Sequence, residues 1–453
     1  MASVAEQLAS NVNFGVFAKA TELKKRIWFT LFALVVYRAG TFITLPGIDP
    51  QVMADIMQSQ SGGVLGMFDV FAGGALSRMS IFALNIMPYI SAAIIMQIMG
   101  AVNPALEQLK KEGPSGRIRM NQYTRYLTVG ICALQALGIA SGLEGANSST
   151  GAPAVLNPGL FFKFTTVITL VGGTVFLVWL GEQMSERGIG QGVSLIIFAG
   201  IIAGLPGALA QTLELGRTGA LSPFIIVSLF AGAIGVITLI IFIEVAQRRV
   251  IVQYPKRQQG NKMFGGENSH MPLKINTAGV IPPIFASSLL LMPLTVAGLQ
   301  GAGTPVDDDA GILATIGALL GRGQPLYLLI YSVLISFFAF FYTALVFNPS
   351  DTADNLKKQG GFIPGIRPGK NTAEYLDYVL TRLTVVGSLY LVVICLIPEF
   401  LISRLSVPFY FGGTSLLIVV NVTLNTMQQV QAHLLAHQYE GLIKKSKLRG
   451  RRG

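Results

Sequence analysis

The chain has 453 residues, of which 52% are hydrophobic and only 12% charged, and its 33 Lys and Arg against 22 Asp and Glu leave a net charge of +11. Mean hydropathy is +0.59. A soluble domain needs roughly a quarter of its residues charged, so the composition excludes the water-soluble classes and reads as a polytopic membrane protein.

Residues Met1 to Arg26 hold Glu6, Lys19, Glu22, Lys24, Lys25 and Arg26 without a continuous apolar core. No cleaved signal peptide is written there, and the first span must target the chain. Apolar runs of about 20 residues, long enough to cross the hydrocarbon as helix, lie near 27–45, 80–101, 124–143, 160–180 and 190–210. Five more follow near 221–243, 276–299, 325–347, 379–398 and 407–427. The expected fold is all-α with ten transmembrane helices. With five spans on each side of about residue 215, any relation between the halves must be inverted, although they share no visible sequence identity.

Between the first two spans, Ser61 to Met79 is too short and too Gly-rich to cross, with Gly62, Gly63, Gly66, Gly73 and Gly74. Irregular backbone at membrane depth is tolerated only where protein buries it or a wet cavity receives it, so this piece is expected to dip into an outer funnel. Its Arg78 is expected at the wet end.

Basic residues fall on one face. Lys19, Lys24, Lys25 and Arg26 precede the first span. The even connections carry Lys110, Lys111, Arg117, Arg119 and Arg125, then Arg187, then Arg248, Arg249, Lys256, Arg257, Lys262 and Lys274, then Lys357, Lys358, Arg367 and Lys370. The tail adds Lys444, Lys445, Lys447, Arg449, Arg451 and Arg452, against only Arg217, Arg322 and Arg404 on the other face. The positive-inside rule puts both termini in the cytoplasm. Fixing topology and touching anionic lipids accounts for part of this charge. The loops at about 244–275 and 348–376 exceed that need and read as protruding fingers that meet a large partner.

Enzymatic signatures are missing. Cys132 and Cys395 are lone thiols in apolar runs, and His270, His433 and His437 lack a metal-binding pattern. No Walker lysine motif and no intramembrane nucleophile pair occur. Charge inside the spans is limited to Arg38, Lys163 and Arg382 near helix ends, which snorkelling explains. That weakens, without removing, the alternative of a secondary transporter for a small solute, which would use intramembrane carboxylates. Aliphatic pairs four apart, Ile86 with Ile90 and Val193 with Ile197, share helical faces. They are either lipid-facing and core aliphatics or, with Ile284 and Ile418, the lining of a greasy constriction that gates by dewetting.

FAGGALSRMSIFAL, MPYISAAIIMQ, GEQMSERGIGQGVSLIIFAGI, KRQQG, FYTALVFNPSDTADNLKKQGGFIPGIRPG and VPFYFGGTSLLIVV resemble the SecY family, the channel subunits of the bacterial protein-export translocon, from about Leu23 to the tail. The resemblance implies two inverted five-helix halves around a central pore, residues 27–215 and 216–431, between a cytoplasmic segment 1–26 and a basic tail 432–453. It implies a plug at about 64–78, with Val64, Phe68, Phe71, Gly73, Gly74 and Arg78, and a pore ring of Ile86, Ile90, Val193, Ile197, Ile284 and Ile418. A lateral gate would involve Asn85, where SecY proteins commonly have Gly, and Pro282 and Pro283, which with Gly279 would let the seventh span bend. Asn425 stands where relatives often carry Asp, so a charge-based role there is in doubt; Asn421 is a second polar residue in the same span.

The function so implied is a protein-conducting channel in the bacterial cytoplasmic (inner) membrane, passive in itself, that passes unfolded secretory proteins and releases membrane helices sideways. Implied partners are the SecE and SecG subunits, the SecA motor ATPase, the ribosome, signal sequences and nascent membrane proteins. Arg248, Arg249, Lys256, Arg257 and Arg367 would meet the motor or ribosomal RNA. No catalytic residue, cofactor or metal is implied.

Overall fold

The computed structural model describes residues 21–59, 69, 71–145, 152–219, 222–254, 257–259, 262–264, 268–290, 324–405 and 413–449, with backbone alone at 57–59, 110–111, 257–259, 262–264, 268, 399, 401–405 and 437–449. Val64, Phe68 and Lys256 lie outside the described residues, as does the side chain of Arg257.

Each of the ten apolar runs carries a helix. In chain order these are α1 (Thr21–Gly40), α3 (Met87–Val102), α5 (Pro114–Gly145), α6 (Leu160–Arg187), α7 (Gly192–Arg217), α8 (Pro223–Val245), α9 (Ile281–Leu290), α10 (Pro325–Val346), α12 (Lys370–Leu405) and α13 (Gly413–Arg449). Short helices α2 (Pro50–Ser59), α4 (Pro104–Lys111) and α11 (Pro349–Lys358) lie between them. Starts follow local chemistry. Ser222 caps α8 by accepting the Ile225 amide, with Pro223 in the first turn where its missing N–H costs nothing.

Two spans begin later than hydropathy suggests. Ser80 to Ile86 is a series of turns, with Met79 at φ 45° and Asn85 at φ 50°, so the second span is helical only from Met87. The seventh starts at Ile281. Pro282 and Pro283 therefore sit in its first turn and do not interrupt it as expected, because amides there have no intrahelical partner to lose. The break is at Gly279, φ 63°.

Helix α5 packs on α3 and α6, α10 on α12, and α13 on α7, α8 and α12. One apolar core threads both halves, from Tyr37 and Leu170 to Ile394 and Leu417. Burial is uneven. Only 6% of the most apolar window of α8 is buried, so nearly all of that helix presents Ile, Phe and Leu outward, as a hydrocarbon-facing span must.

The two basic loops are not separate fingers. Strands β1 (Gln247–Gln253) and β4 (Asn268–Lys274) pair antiparallel, and β2 (Arg257–Gln259) pairs with β3 (Lys262–Phe264) beyond them. Gln253 and Phe362 exchange backbone hydrogen bonds of 2.9 and 3.0 Å. Val250 and Leu273 of the ribbon bury with Ile363, Leu376, Val379 and Leu380 of the second loop and α12. One platform results, its backbone paired and its underside apolar.

Candidate functional site: a plugged aliphatic constriction

Four spans and the segment before α3 converge on one small cavity, lined by Phe71, Asn85, Ile86, Met87, Ile90, Ile197, Ile284, Ser287 and Ile418. It has room for about one water molecule. Five of the six expected ring residues meet there. Ile86 stands at the N-cap of α3 and Ile90 one turn on, tied by an Ile90 N–H to Ile86 carbonyl bond of 3.1 Å. Ile197 comes from α7, Ile284 from α9 and Ile418 from α13. Val193, one turn before Ile197, is half-buried against the same core and lies 3.3 Å from where a side chain on Gly181 of α6 would begin; it does not line the cavity. Branched aliphatics offer a passing chain no polar partner and leave water little reason to stay.

Phe71 closes the cavity from the plug side. Asp69, Phe71 and Ala72 are helical, and the turn ends at Gly73 (φ 66°) and Gly74 (φ 79°), where the Gly74 N–H reaches the Asp69 carbonyl at 2.9 Å. This is the six-to-one bond that commonly closes a helix, and it demands positive φ that glycine adopts freely. Asp69 Oδ1 accepts the Ser77 amide at 2.8 Å. Burial pushes that carboxyl above the usual range, against the pull of the Ser77 hydrogen bond.

One arginine departs from expectation. Arg38 does not snorkel outward; its Nη1 donates to the Gly73 carbonyl at 2.6 Å. Arg78 is half-buried with its guanidinium 4.2 Å from the Phe42 ring centroid, and Arg38 lies 5.2 Å from the same ring. Both use cation–π contact where full hydration is denied. Lys163 instead pairs with Glu144 at 2.9 Å. Arg382 lies over Tyr378 at 4.3 Å.

Asn85 lines the cavity beside Ile86 and Met87. Its Nδ2 donates to the Phe71 carbonyl at 2.7 Å. At the seam between α3 and α9, Ser288 Oγ meets Met87 Sδ at 3.9 Å. Phe285 of α9 is locked edge-on to Phe338 and Tyr342 of α10.

Sequence reasoning missed Glu244. Helix α8 continues past the expected boundary, and this carboxylate is buried at its end, accepting from Asn276 Nδ2 at 2.7 Å and Asn421 Nδ2 at 3.3 Å. Asn276 also donates to the Gly279 carbonyl at 3.0 Å, and Asn425 to Asn421 at 2.7 Å. Three amides thus tie α8, the foot of α9 and α13 around one charge. The signal was a Glu one residue beyond an apolar run with Asn before the next span and within the last.

Arg248, Arg249 and Arg367 are exposed on the platform. Arg367 sits in a loop shaped by Gly365 (φ 83°) and Gly369 (φ 108°), its carbonyl held by Thr372 Oγ1 at 2.9 Å.

The SecY family profile matches residues 80–427. The protein translocase subunit SecY of Rickettsia bellii is 54% identical over 439 residues, covering 97% of this chain and 100% of that protein. The chain belongs to the SecY family. Its fold is that of solved SecY and Sec61 channels. One, whose plug domain is described as stabilising the closed state and maintaining a membrane seal, aligns at TM-score 0.61 with 20% identity, covering 91% of this chain and 92% of that one. Another, Sec61 in the canine ribosome–channel complex, aligns at TM-score 0.56 with 20% identity over the same shares. As a SecY-family member the chain is a multi-pass membrane protein and a protein-conducting translocation channel. These relatives give the small-solute transporter no support.

Proposed function

We propose that this channel is captured closed, with the aliphatic cavity as its ring and Asp69 to Arg78 as the inner part of its plug. The observation that carries the reading is the convergence of Ile86, Ile90, Ile197, Ile284 and Ile418 from four spans onto one small, mainly aliphatic cavity capped by Phe71. Val193 joins the ring when the spans part, one helical turn from Ile197.

A secretory signal enters between α3 and α9 by replacing the weak Met87–Ser288 contact. Residues 27–215 and 216–431 act as the two halves that separate. A segment of about 20 apolar residues then leaves sideways without a catalyst, since it loses free energy on leaving water. A polar chain continues through the ring. Pro282, Pro283 and Gly279 set where α9 pivots, at its foot.

The platform supplies the drive. Arg248, Arg249 and Arg367 stand exposed on it, and the neighbour solved on a ribosome suggests a ribosomal RNA contact for the same face. The SecA motor docks there after synthesis, and the outward apolar face of α8 leaves room for SecE- and SecG-type subunits or lipid. The site is the bacterial inner membrane with cytoplasmic termini, anionic lipid holding the basic tail.

Deleting Val64 to Arg78 tests the seal. Resting ion conductance of the reconstituted channel is expected to rise while the ten-span protein still inserts; unchanged conductance rejects the plug assignment.

A further inference from the structure

Three consecutive carbonyls of the plug, those of Phe71, Ala72 and Gly73, are each met by a side chain from the channel wall. Asn85 Nδ2 donates to Phe71 at 2.7 Å, Tyr37 Oη to Ala72 at 3.4 Å and Arg38 Nη1 to Gly73 at 2.6 Å. A helix end leaves its last carbonyls without intrahelical partners and carries partial negative charge. Here the closing bond from Gly74 satisfies Asp69, and the Ala75 N–H reaches the Ala72 carbonyl at 3.3 Å. The wall donors Asn85 and Arg38 occupy the Phe71 and Gly73 carbonyls, Tyr37 shares that of Ala72, and the cation stands at the last of the three.

The approach is close enough to need glycine on both sides. A Cβ on Gly200 of α7 would stand 2.6 Å from the Phe71 carbonyl oxygen, and one on Gly73 would stand 2.9 Å from the Gly200 Cα. The plug is thus gripped by its backbone, with Gly200 as the flat surface behind it.

We propose that Asn85, with Tyr37 and Arg38, is a positioning residue that latches the closed plug through these carbonyls and couples its release to the seam. This rests on the plug reading above. Asn85 sits one residue before Ile86 and two before Met87, so the segment holding the plug also carries a ring residue and a seam contact. When a signal draws α3 from α9, Asn85 moves with α3 and its bond to Phe71 breaks. Because the donors read backbone, the latch is indifferent to plug side chains. Asn tolerates the positive φ that position 85 requires, and adds the donor that glycine lacks.

The test uses the full channel, purified with its copurifying subunits and reconstituted. Asn85→Gly fits the backbone and Tyr37→Phe removes only a hydroxyl, so both should fold. Each is expected to raise resting conductance about fivefold, the effect of one lost buried hydrogen bond on the closed-to-open ratio, and to lower the apolarity a signal must have. In a channel lacking Val64 to Arg78, neither substitution should change conductance further. Unchanged conductance in the intact channel, with the deletion leaky, overturns the latch and leaves the plug standing. An equal rise in intact and deleted channels shows that Asn85 acts elsewhere and also overturns it. A deletion that does not leak removes the plug reading and the latch together.

Discussion

The plug and the foot of the seventh span are both irregular backbone buried among spans, yet they are held in opposite ways. At the plug, wall side chains donate to backbone carbonyls from Phe71 to Gly73. At the foot of α9, side chain meets side chain: a buried carboxylate, Glu244, between the amides of Asn276 and Asn421. Backbone-directed bonds survive changes in the side chains of the segment they hold. A carboxylate between amides depends on each member, since losing one leaves charge buried with too few donors. The difference suits the proposed roles, a plug that leaves and a pivot that stays.

The largest break in this comparison comes from Gly200→Val. Its side chain must enter space already within van der Waals range of the Phe71 carbonyl, which pushes the plug off its seat. Overpacking costs about 1–3 kcal/mol, so resting conductance should rise on the order of ten- to a hundredfold while thermal stability changes little. A conductance left at the parental level contradicts the close seat.

Asn276→Leu should act the other way. It removes the shortest donor to Glu244 and destabilises the protein by about 3 kcal/mol, seen as a lower unfolding temperature in detergent. Combining it with Glu244→Leu should restore much of the loss, and failure of that rescue removes the network as the cause. Resting conductance should move far less than in Gly200→Val.

On the platform, Gly361→Val brings a side chain to within about 3.0 Å of the Tyr254 ring and strains the Gln253–Phe362 pairing. Faster proteolysis within 348–376 and weaker ribosome binding are expected, with resting conductance unaffected. The smallest effect belongs to Arg125→Ala. The Arg125–Glu182 pair spans α5 and α6, but Arg125 is 53% exposed, and such pairs contribute about 1 kcal/mol or less. A large loss of stability there would mean that the pair is shielded in the bilayer.

Hydropathy located the spans because an average over 20 residues registers Leu, Ile and Phe wherever they point. The same averaging hid direction. It placed Ser80 to Ile86 inside a helix, because apolar turns and apolar helix score alike. It assigned Arg38 to the lipid interface, although the guanidinium turns inward to Gly73. It ended the sixth span one residue before Glu244.

The constriction was legible only in part. Spacing put Ile86 with Ile90 and Val193 with Ile197 on shared faces, but nothing in a period of 3.6 says whether a face meets lipid, core or pore. Resemblance to the SecY family selected the ring, and the geometry gathers five of its residues and sets Val193 beside them. The Gly-rich segment before the second span was visible from composition, and resemblance to the SecY family supplied its reading as a plug. The partners of its carbonyls were not, since Tyr37 and Asn85 lie far from Phe71 and Ala72 in sequence or on the other side of a turn. The joining of the basic loops was likewise hidden, because it rests on a backbone pairing between Gln253 and Phe362 and on a small apolar cluster contributed by segments far apart in sequence.

The account stands or falls on whether a translocating chain touches the ring. A photoreactive residue at Ile197, and in a second variant at Ile86, would be irradiated with a secretory precursor arrested in transit. Leu213, exposed on the same helix as Ile197, serves as the outward-facing control. Precursor adducts from Ile197 and Ile86 and none from Leu213 are predicted; export that proceeds without ring adducts, or with equal adducts from Leu213, contradicts a path through this cavity.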